Sequence, residues 1–263
     1  MAREPYFCRS RNPFARARQP TPVVPNVTLL GSHRVNFYAI REGRGFTLVD
    51  CGFYGHIRYL EAFLSQQGVR LSQVEAVVIT HGHADHLGFA AKLAEMNVPV
   101  FIPEADMAFA QHPRSRLPPP TLVRKLWRPS CMGLLFEAAA DGVFSQPLVE
   151  RATPYHADSV LDVPGRLQAI HVPGHTDGNC SLYMPDGDAM FTGDTLMTRH
   201  PILNQDGLTA FSEHPARDRE AIANLNRLEP YANAALLPAH GEPWTTPGAL
   251  AKAISSLRSL SEP

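Results

Sequence analysis

Thr80-His81-Gly82-His83-Ala84-Asp85-His86-Leu87-Gly88 packs three imidazoles and a carboxylate into six consecutive positions, directly after the apolar stretch Val74-Glu75-Ala76-Val77-Val78-Ile79. The apolar stretch reads as a buried strand. A loop leaving a strand end can aim several side chains at one point, which a regular helix cannot do at this spacing. Imidazole nitrogen and carboxylate oxygen are the donors that borderline divalent cations prefer, so the cluster reads as a metal site. Packing three imidazoles this tightly brings no evident folding benefit, which weighs against a structural role.

Three further candidates close apolar stretches of their own. They are His175 in Pro-Gly-His-Thr, Asp194 in Thr-Gly-Asp-Thr and His240 in Pro-Ala-His-Gly. Each is weak alone, because a single histidine ending a strand is more often structural. His33, His56, His112, His156, His171 and His214 are read that way. Seven donors are too many for one tetrahedral ion and about right for two. On chemistry alone, His81, His83 and His175 could hold one cation, and Asp85, His86 and His240 a second, with Asp194 bridging through its two oxygens. Two close cations lower the pKa of a shared water from about 15.7 toward 7, giving a bridging hydroxide that attacks an electrophilic centre. Asp85 and Asp194 are therefore the candidate catalytic residues, Asp85 as the proton carrier nearest that water. Asp50, in Leu-Val-Asp-Cys-Gly, also ends a strand and is read as a buttress hydrogen-bonded to the motif loop rather than a ligand.

Around these motifs the periodicity predicts strands over 35–40, 46–50, 74–79, 98–102, 167–172, 181–184, 189–192 and 234–237. Helices are predicted over 57–67, 87–96, 216–228 and 247–260. Two runs of strands flanked by helices suggest two sheets packed face to face with helices outside, and a site at one rim. The chain is read as a single domain over 27–263, preceded by a flexible arm over 1–26 whose prolines interrupt any helix. Within the domain, 103–164 breaks the pattern as an insertion, a candidate lid. Leu122, Leu126, Trp127, Met132, Leu135 and Phe136 make it apolar enough to hold an acyl chain. Arg199 and His200, just beyond Asp194, are candidates for binding a carboxylate or leaving group.

Bulk composition narrows the function. A net charge of −1 over 263 residues offers no field for nucleic acid. No apolar run reaches the roughly 20 residues needed to cross a bilayer. Four scattered cysteines, Cys8, Cys51, Cys131 and Cys180, suit reduced thiols and a cytoplasmic location, and argue against a thiolate metal site. The expected partner is a small molecule, with homo-oligomerisation left open.

The motif set resembles the metallo-β-lactamase fold superfamily, from Val35 to His240. The resemblance implies an α+β fold, a four-layer αββα sandwich, with a dinuclear site at the sheet edge. It carries His81, His83 and His175 onto the first ion, Asp85, His86 and His240 onto the second, Asp194 onto the bridging carboxylate and Asp50 onto the superfamily's first motif aspartate. It implies two zinc ions per chain, with iron or manganese as alternatives. True β-lactamases lack the bridging aspartate, so Asp194 points away from them. Glyoxalase II enzymes share the ligand set but carry a helical domain after the last histidine, where this sequence has only 241–263. Acyl-homoserine lactonases place a tyrosine where Met197 stands. Superfamily nucleases add an RNA-gripping arm or extra domain that is not evident here. Persulfide dioxygenases resemble the chain at 83–86 and 173–178, but the arginine-containing segment that follows their aspartate is missing from 195–204.

The reading is a zinc-dependent hydrolase of the glyoxalase II or lactonase-like branch, cleaving an ester, thioester or lactone of a small acyl compound. A mononuclear iron dioxygenase and a non-catalytic binding protein on the same fold are the alternatives.

Overall fold

The computed structural model describes residues 17–112, 127–210 and 217–261. Among them, strands β1 (Thr21–Val24), β2 (Val27–Gly31), β3 (Asn36–Glu42), β4 (Gly45–Val49), β5 (Val74–Val78), β6 (Val100–Pro103) and β7 (Ala152–Tyr155) form one sheet in sequence order. The first four are antiparallel, and β4 to β7 run parallel. A second sheet takes the order β13-β10-β9-β8, from β8 (Gln168–His171), β9 (Cys180–Met184), β10 (Ala189–Gly193) and β13 (Ala235–Pro238). A small hairpin, β11 (Met197–His200) with β12 (Gln205–Thr209), follows Asp194.

The alternation of side chains along each strand builds the layers. On β3, Tyr38 and Ile40 face the second sheet, while Phe37 and Ala39 face the helices outside. On β10, Ala189 and Phe191 face the first sheet, and Met190 faces outward. The inner layer joins Tyr38, Val49 and Val78 to Leu182, Phe191 and Leu237. Outside the first sheet, α1 (Ile57–Gln66) contributes Tyr59, Leu60, Phe63 and Leu64. Outside the second, the C-terminal helix Ala249–Ser261 contributes Leu250, Ala253, Ile254 and Leu257. Both faces of each sheet are thus covered, which is why the strands read as nearly continuous apolar runs. The result is the αββα sandwich that the motifs imply.

Strand direction positions the site. β4 and β5 point their C-terminal ends to one rim, and β8, β10 and β13 do the same in the other sheet. The two rims are joined directly: the Cys180 N–H donates to the Thr80 carbonyl at 3.0 Å, and the Asn36 N–H to the Ala239 carbonyl at 2.8 Å. Gly193, at φ +50°, lies so close to Thr80 that a Cβ would sit 2.6 Å from its hydroxyl oxygen. Only glycine suits a left-handed turn at that approach.

Several expectations are corrected. The arm predicted over 1–26 is not free throughout: Ala17 bridges to Ser32 and Thr21–Val24 is paired as β1. Residues 1–16 lie outside the described residues. The helix predicted over 87–96 is two pieces, α2 (Ala84–Leu87) and α3 (Ala90–Glu95). Gly88 breaks it because the chain there runs against the Gly52 carbonyl, which a Cβ would overlap. The helix predicted over 216–228 is α-helical only over Asp218–Asn224 and then tightens to a 3₁₀ turn through Tyr231, with Pro230 inside it. The 103–164 segment also contributes to the body, through β7, the short α4 (Met107–Gln111) and α5 (Pro129–Ala140). No helix among the described residues is long and apolar enough to cross a membrane.

Candidate metal centre

Every member of the predicted cluster reaches the shared rim. His81, His83, Asp85 and His86 leave β5 in the loop that becomes α2, His175 follows β8, Asp194 follows β10 and His240 follows β13. His81, His86, His175, Asp194 and His240 are buried, whereas His83 and Asp85 are half-buried.

Three imidazoles converge first. His83 Nδ1 lies 3.0 Å from both His81 Nε2 and His175 Nε2. The three rings form a near-equilateral triangle, with centroids 4.6 to 4.7 Å apart. Donors bound tetrahedrally at about 2.0–2.1 Å stand roughly 3.3 Å from one another, so this spacing suits a single cation. The second convergence involves His86, His240 and Asp85. The carboxylate of Asp85 lies 3.8 Å from His86 Nε2 and 3.5 Å from His240 Nε2.

Asp194 stands between the two groups with its oxygens divided. One, Oδ2, is 3.4 Å from His175 Nε2, on the side of the first triangle. The other, Oδ1, is 3.3 Å from His240 Nε2 and 3.6 Å from His86 Nε2. The donor atoms of His81, His83 and His175 lie within 4.8 Å of one another, as do those of Asp85, His86 and His240, and of His81, His86 and Asp194.

The residues fit cations on an independent ground. His86 Nε2, His240 Nε2 and Asp194 Oδ1 are buried polar atoms without a hydrogen-bond partner among the described residues. Buried polar atoms are ordinarily satisfied, and these three point into the same space. The far nitrogens of the two histidines are fixed. His86 Nδ1–H donates to Asp50 at 2.9 Å, and His240 Nδ1–H donates to the Arg34 carbonyl at 2.6 Å. Each bond selects the tautomer whose Nε2 is the donor toward a cation.

Asp50 does more than hold His86. Its Oδ1 accepts the Thr80 N–H at 2.8 Å, and Oδ2 accepts the Thr80 hydroxyl at 2.9 Å. The residue adopts φ +61°, a left-handed conformation that aspartate tolerates better than most side chains. The motif loop is thereby tied to the end of β4.

The metal-free charge balance follows from this crowding. Burial opposes ionisation of Asp194, but His240, His86 and His175 outweigh it and hold the carboxyl well below the usual range. Burial likewise opposes the charge on Asp85, and His86 with His240 reverses the effect. His81 is pushed down by burial and by the neighbouring imidazoles. Burial also opposes the charge on His86, yet Asp50, Asp85 and Asp194 raise it to about 9. His240 shifts the same way, raised by Asp194 and Asp85 against its burial.

The sign of the pH effect is set by these raised histidines. The contribution of His86 to stability is full below the ordinary value of 6.5 and is lost as pH rises through about 9, and that of His240 is lost in the same direction. Metal-stripped protein is therefore expected to lose up to about 3 kcal/mol of stability over that interval. Calorimetric melting across the range checks it. Metal-loaded protein, with Nε2 committed to a cation, should not show this loss, and equal curves for the two forms would contradict the assignment.

The remaining predicted contacts are distributed differently. Arg199, on β11, donates from Nε to Asp206 at 2.7 Å and from Nη1 to the His33 carbonyl at 2.9 Å, which anchors it to the hairpin and its neighbour. His200, half-buried at the end of β11, accepts the Leu203 N–H at 3.4 Å. Trp127 and Phe136 are 76% and 51% exposed, so neither is enclosed in a formed pocket. Leu122 and Leu126 lie outside the described residues.

Two groups escaped the sequence reading. His56, Glu137 and Asp141 converge in the interior with a donor spacing that could suit a cation. Arg34, 3.0 Å from Glu137, and Arg58, 2.7 Å from Asp141, already balance the carboxylates there, so this is an internal ion-pair cluster. Asp106, fully buried, is the other; its position at the end of the 3₁₀ turn Glu104–Asp106, immediately before α4, resembles an ordinary helix cap.

The comparisons agree with this geometry. The family model described as "Metallo-beta-lactamase superfamily" matches residues 30–240, and the chain belongs to that superfamily. It is 26% identical over 239 residues to the "Probable metallo-hydrolase YflN" of Bacillus subtilis (strain 168), covering 80% of this chain and 81% of that protein. It is 32% identical over 164 residues to a "Hydroxyacylglutathione hydrolase" of Cupriavidus taiwanensis, covering 60% of this chain but only 48% of that protein. Among solved structures, a metallo-beta-lactamase family protein from Thermus thermophilus superposes with a TM-score of 0.66 at 22% identity, over 91% of this chain and 80% of that one. The Rm3 metallo-beta-lactamase gives 0.66 at 18% identity, over 97% and 96%. These structural likenesses establish the fold. The protein is a metal-dependent hydrolase by family.

Proposed function

We propose that the chain is a dinuclear zinc hydrolase acting on an ester, thioester or lactone of a small acyl compound. The observation that carries this reading is the division of the Asp194 carboxylate, one oxygen toward the His81–His83–His175 triangle and the other toward His86 and His240. A carboxylate held between two donor groups in this way suits a bridge between two cations. In this reading His81, His83 and His175 hold the first ion, and Asp85, His86 and His240 hold the second. Cations at these positions supply a water acidified toward neutral pH and stabilise the oxyanion that develops on the substrate.

The chain's own residues do the rest. Asp50 and the Arg34 carbonyl orient His86 and His240 and keep their Nε2 atoms aimed at the site. Asp85, at 23% exposure, is the donor carboxylate that reaches solvent, and it is held ionised by His86 and His240. It is placed to receive the proton of the attacking water and pass it to the leaving group as the acyl bond breaks. The 103–164 insertion borders the site: the Phe109 ring on α4 meets His83 edge to face at 5.5 Å, and a Cβ on Gly82 would strike it. We assign this insertion to the wall through which the acyl group enters, with the exposed Trp127 and Phe136 as contacts for an apolar substrate.

The acyl substrate class draws support from the hydroxyacylglutathione hydrolase likeness, although the chain spans about half of that relative. The test is a panel of esters, thioesters and lactones offered to zinc-loaded protein, with a β-lactam as comparator. Turnover of at least one acyl compound well above the β-lactam is expected. Zinc-loaded protein that cleaves none of them removes the reading. One iron per chain with thiol-dependent oxygen uptake would replace it with dioxygenase chemistry.

A further inference from the structure

The first donor triangle draws His81 and His83 from the loop after β5 and His175 from the loop after β8, and these strands belong to different sheets. Backbone pairing within either sheet cannot by itself set the spacing of the three rings. The bond from the Cys180 N–H to the Thr80 carbonyl joins the bases of these loops, but it reaches neither Gly82, between His81 and His83, nor Thr176, beside His175.

Asp106 reaches both. Its Oδ2 accepts the N–H of Gly82, the residue between His81 and His83, at 2.8 Å. The same oxygen accepts the hydroxyl of Thr176, the residue after His175, at 2.7 Å. Its Oδ1 accepts the Gly178 N–H at 2.8 Å. One buried carboxylate thus ties both ligand loops together through three donors. The packing is specific to this arrangement, because a Cβ on Gly178 would lie 2.7 Å from the Asp106 carboxyl carbon. Asp50 makes the corresponding contacts on the other side, to Thr80 and His86.

We infer that Asp106 is a positioning residue for the His81–His83–His175 triangle, holding two loops from different sheets in register so that the first cation is bound tightly. The inference rests on the dinuclear reading above for the identity of that ion. Asp106 touches neither substrate nor any of the three imidazoles in this role. It acts through the backbone on either side of them, and its effect belongs to one ion rather than both.

Asp106→Asn tests it with little change of shape, since one acceptor oxygen becomes an amide donor facing another donor. Metal-free wild-type and variant protein are titrated with zinc alone by calorimetry, and zinc-edge anomalous maps then give the occupancy at each position. The expected result is an ion at the triangle weakened by roughly 10- to 100-fold, with the ion at Asp85, His86 and His240 within about threefold of wild type. Thr176→Val, which removes a single donor, should weaken the same ion by less, and it serves if the asparagine variant does not fold. Both ions retained within about threefold, or both weakened alike, would overturn the inference. If wild-type protein binds one ion only, the dinuclear reading fails. The inference then stands if that ion sits in the triangle and loosens in Asp106→Asn, and falls if it sits elsewhere.

Discussion

Replacing Asp194 with alanine is expected to lower kcat/KM by at least about 10³-fold and to leave the protein unable to hold two ions at once. The expectation follows from the position of the carboxylate, whose oxygens face opposite donor groups. Removing it deletes a donor from each site. It also leaves His175, His86 and His240 crowded together without the anion that offsets their charge. Loss of an electrostatic stabiliser of the reacting centre costs about 2.7–4 kcal/mol in well-studied cases, which corresponds to 10²- to 10³-fold. Loss of the ions themselves adds to that. Asp194→Asn should sit close behind, because a neutral amide cannot serve two cations. Steady-state kinetics on the best substrate of the panel, together with metal analysis of each variant, measure both effects. A variant within tenfold of wild type would mean that Asp194 is not central.

Removal of metal is the second large effect. Chelation should abolish turnover, and zinc should restore it as the second equivalent is added rather than the first. The reason lies in the two convergences: three imidazoles on one side, two imidazoles and Asp85 on the other, with the bridging position between them. In the metal-free protein His86 Nε2 and His240 Nε2 have no hydrogen-bond partner among the described residues, and Asp50, Asp85 and Asp194 raise His86 to about 9 against its burial. The second ion must therefore displace a proton, so its affinity should rise with pH up to that range. Full recovery at one equivalent would contradict the paired arrangement.

Much of the site was legible in the sequence, for a physical reason. Each donor follows a strand whose apolar run is buried on both faces, so its place at the rim could be inferred without knowing the loop between. His81 to His86 follow β5, and His175, Asp194 and His240 follow three strands that run in one direction in the second sheet. Asp50 was legible on the same basis, at the end of β4. Asp106 was not, because a carboxylate between a strand and a short helix has an ordinary local explanation, and the loops it joins are distant in sequence. Strand β1 was hidden by Pro22 and Pro25 around a short, partly exposed stretch, whose pairing depends on β2. The break at Gly88 depends on the Gly52 carbonyl, a contact that periodicity within the helix cannot reveal. The exposed Trp127 shows the converse: the insertion reads as apolar enough to hold an acyl chain, but exposure depends on what the rest of the chain leaves uncovered.

Zinc-edge diffraction from metal-loaded crystals tests the central claim most directly. Two anomalous peaks per chain should appear roughly 3.5–4 Å apart. One should lie among His81, His83 and His175, and the other among Asp85, His86 and His240, with an Asp194 oxygen on each. A single peak, or a pair with Asp194 bound to neither, would contradict the account.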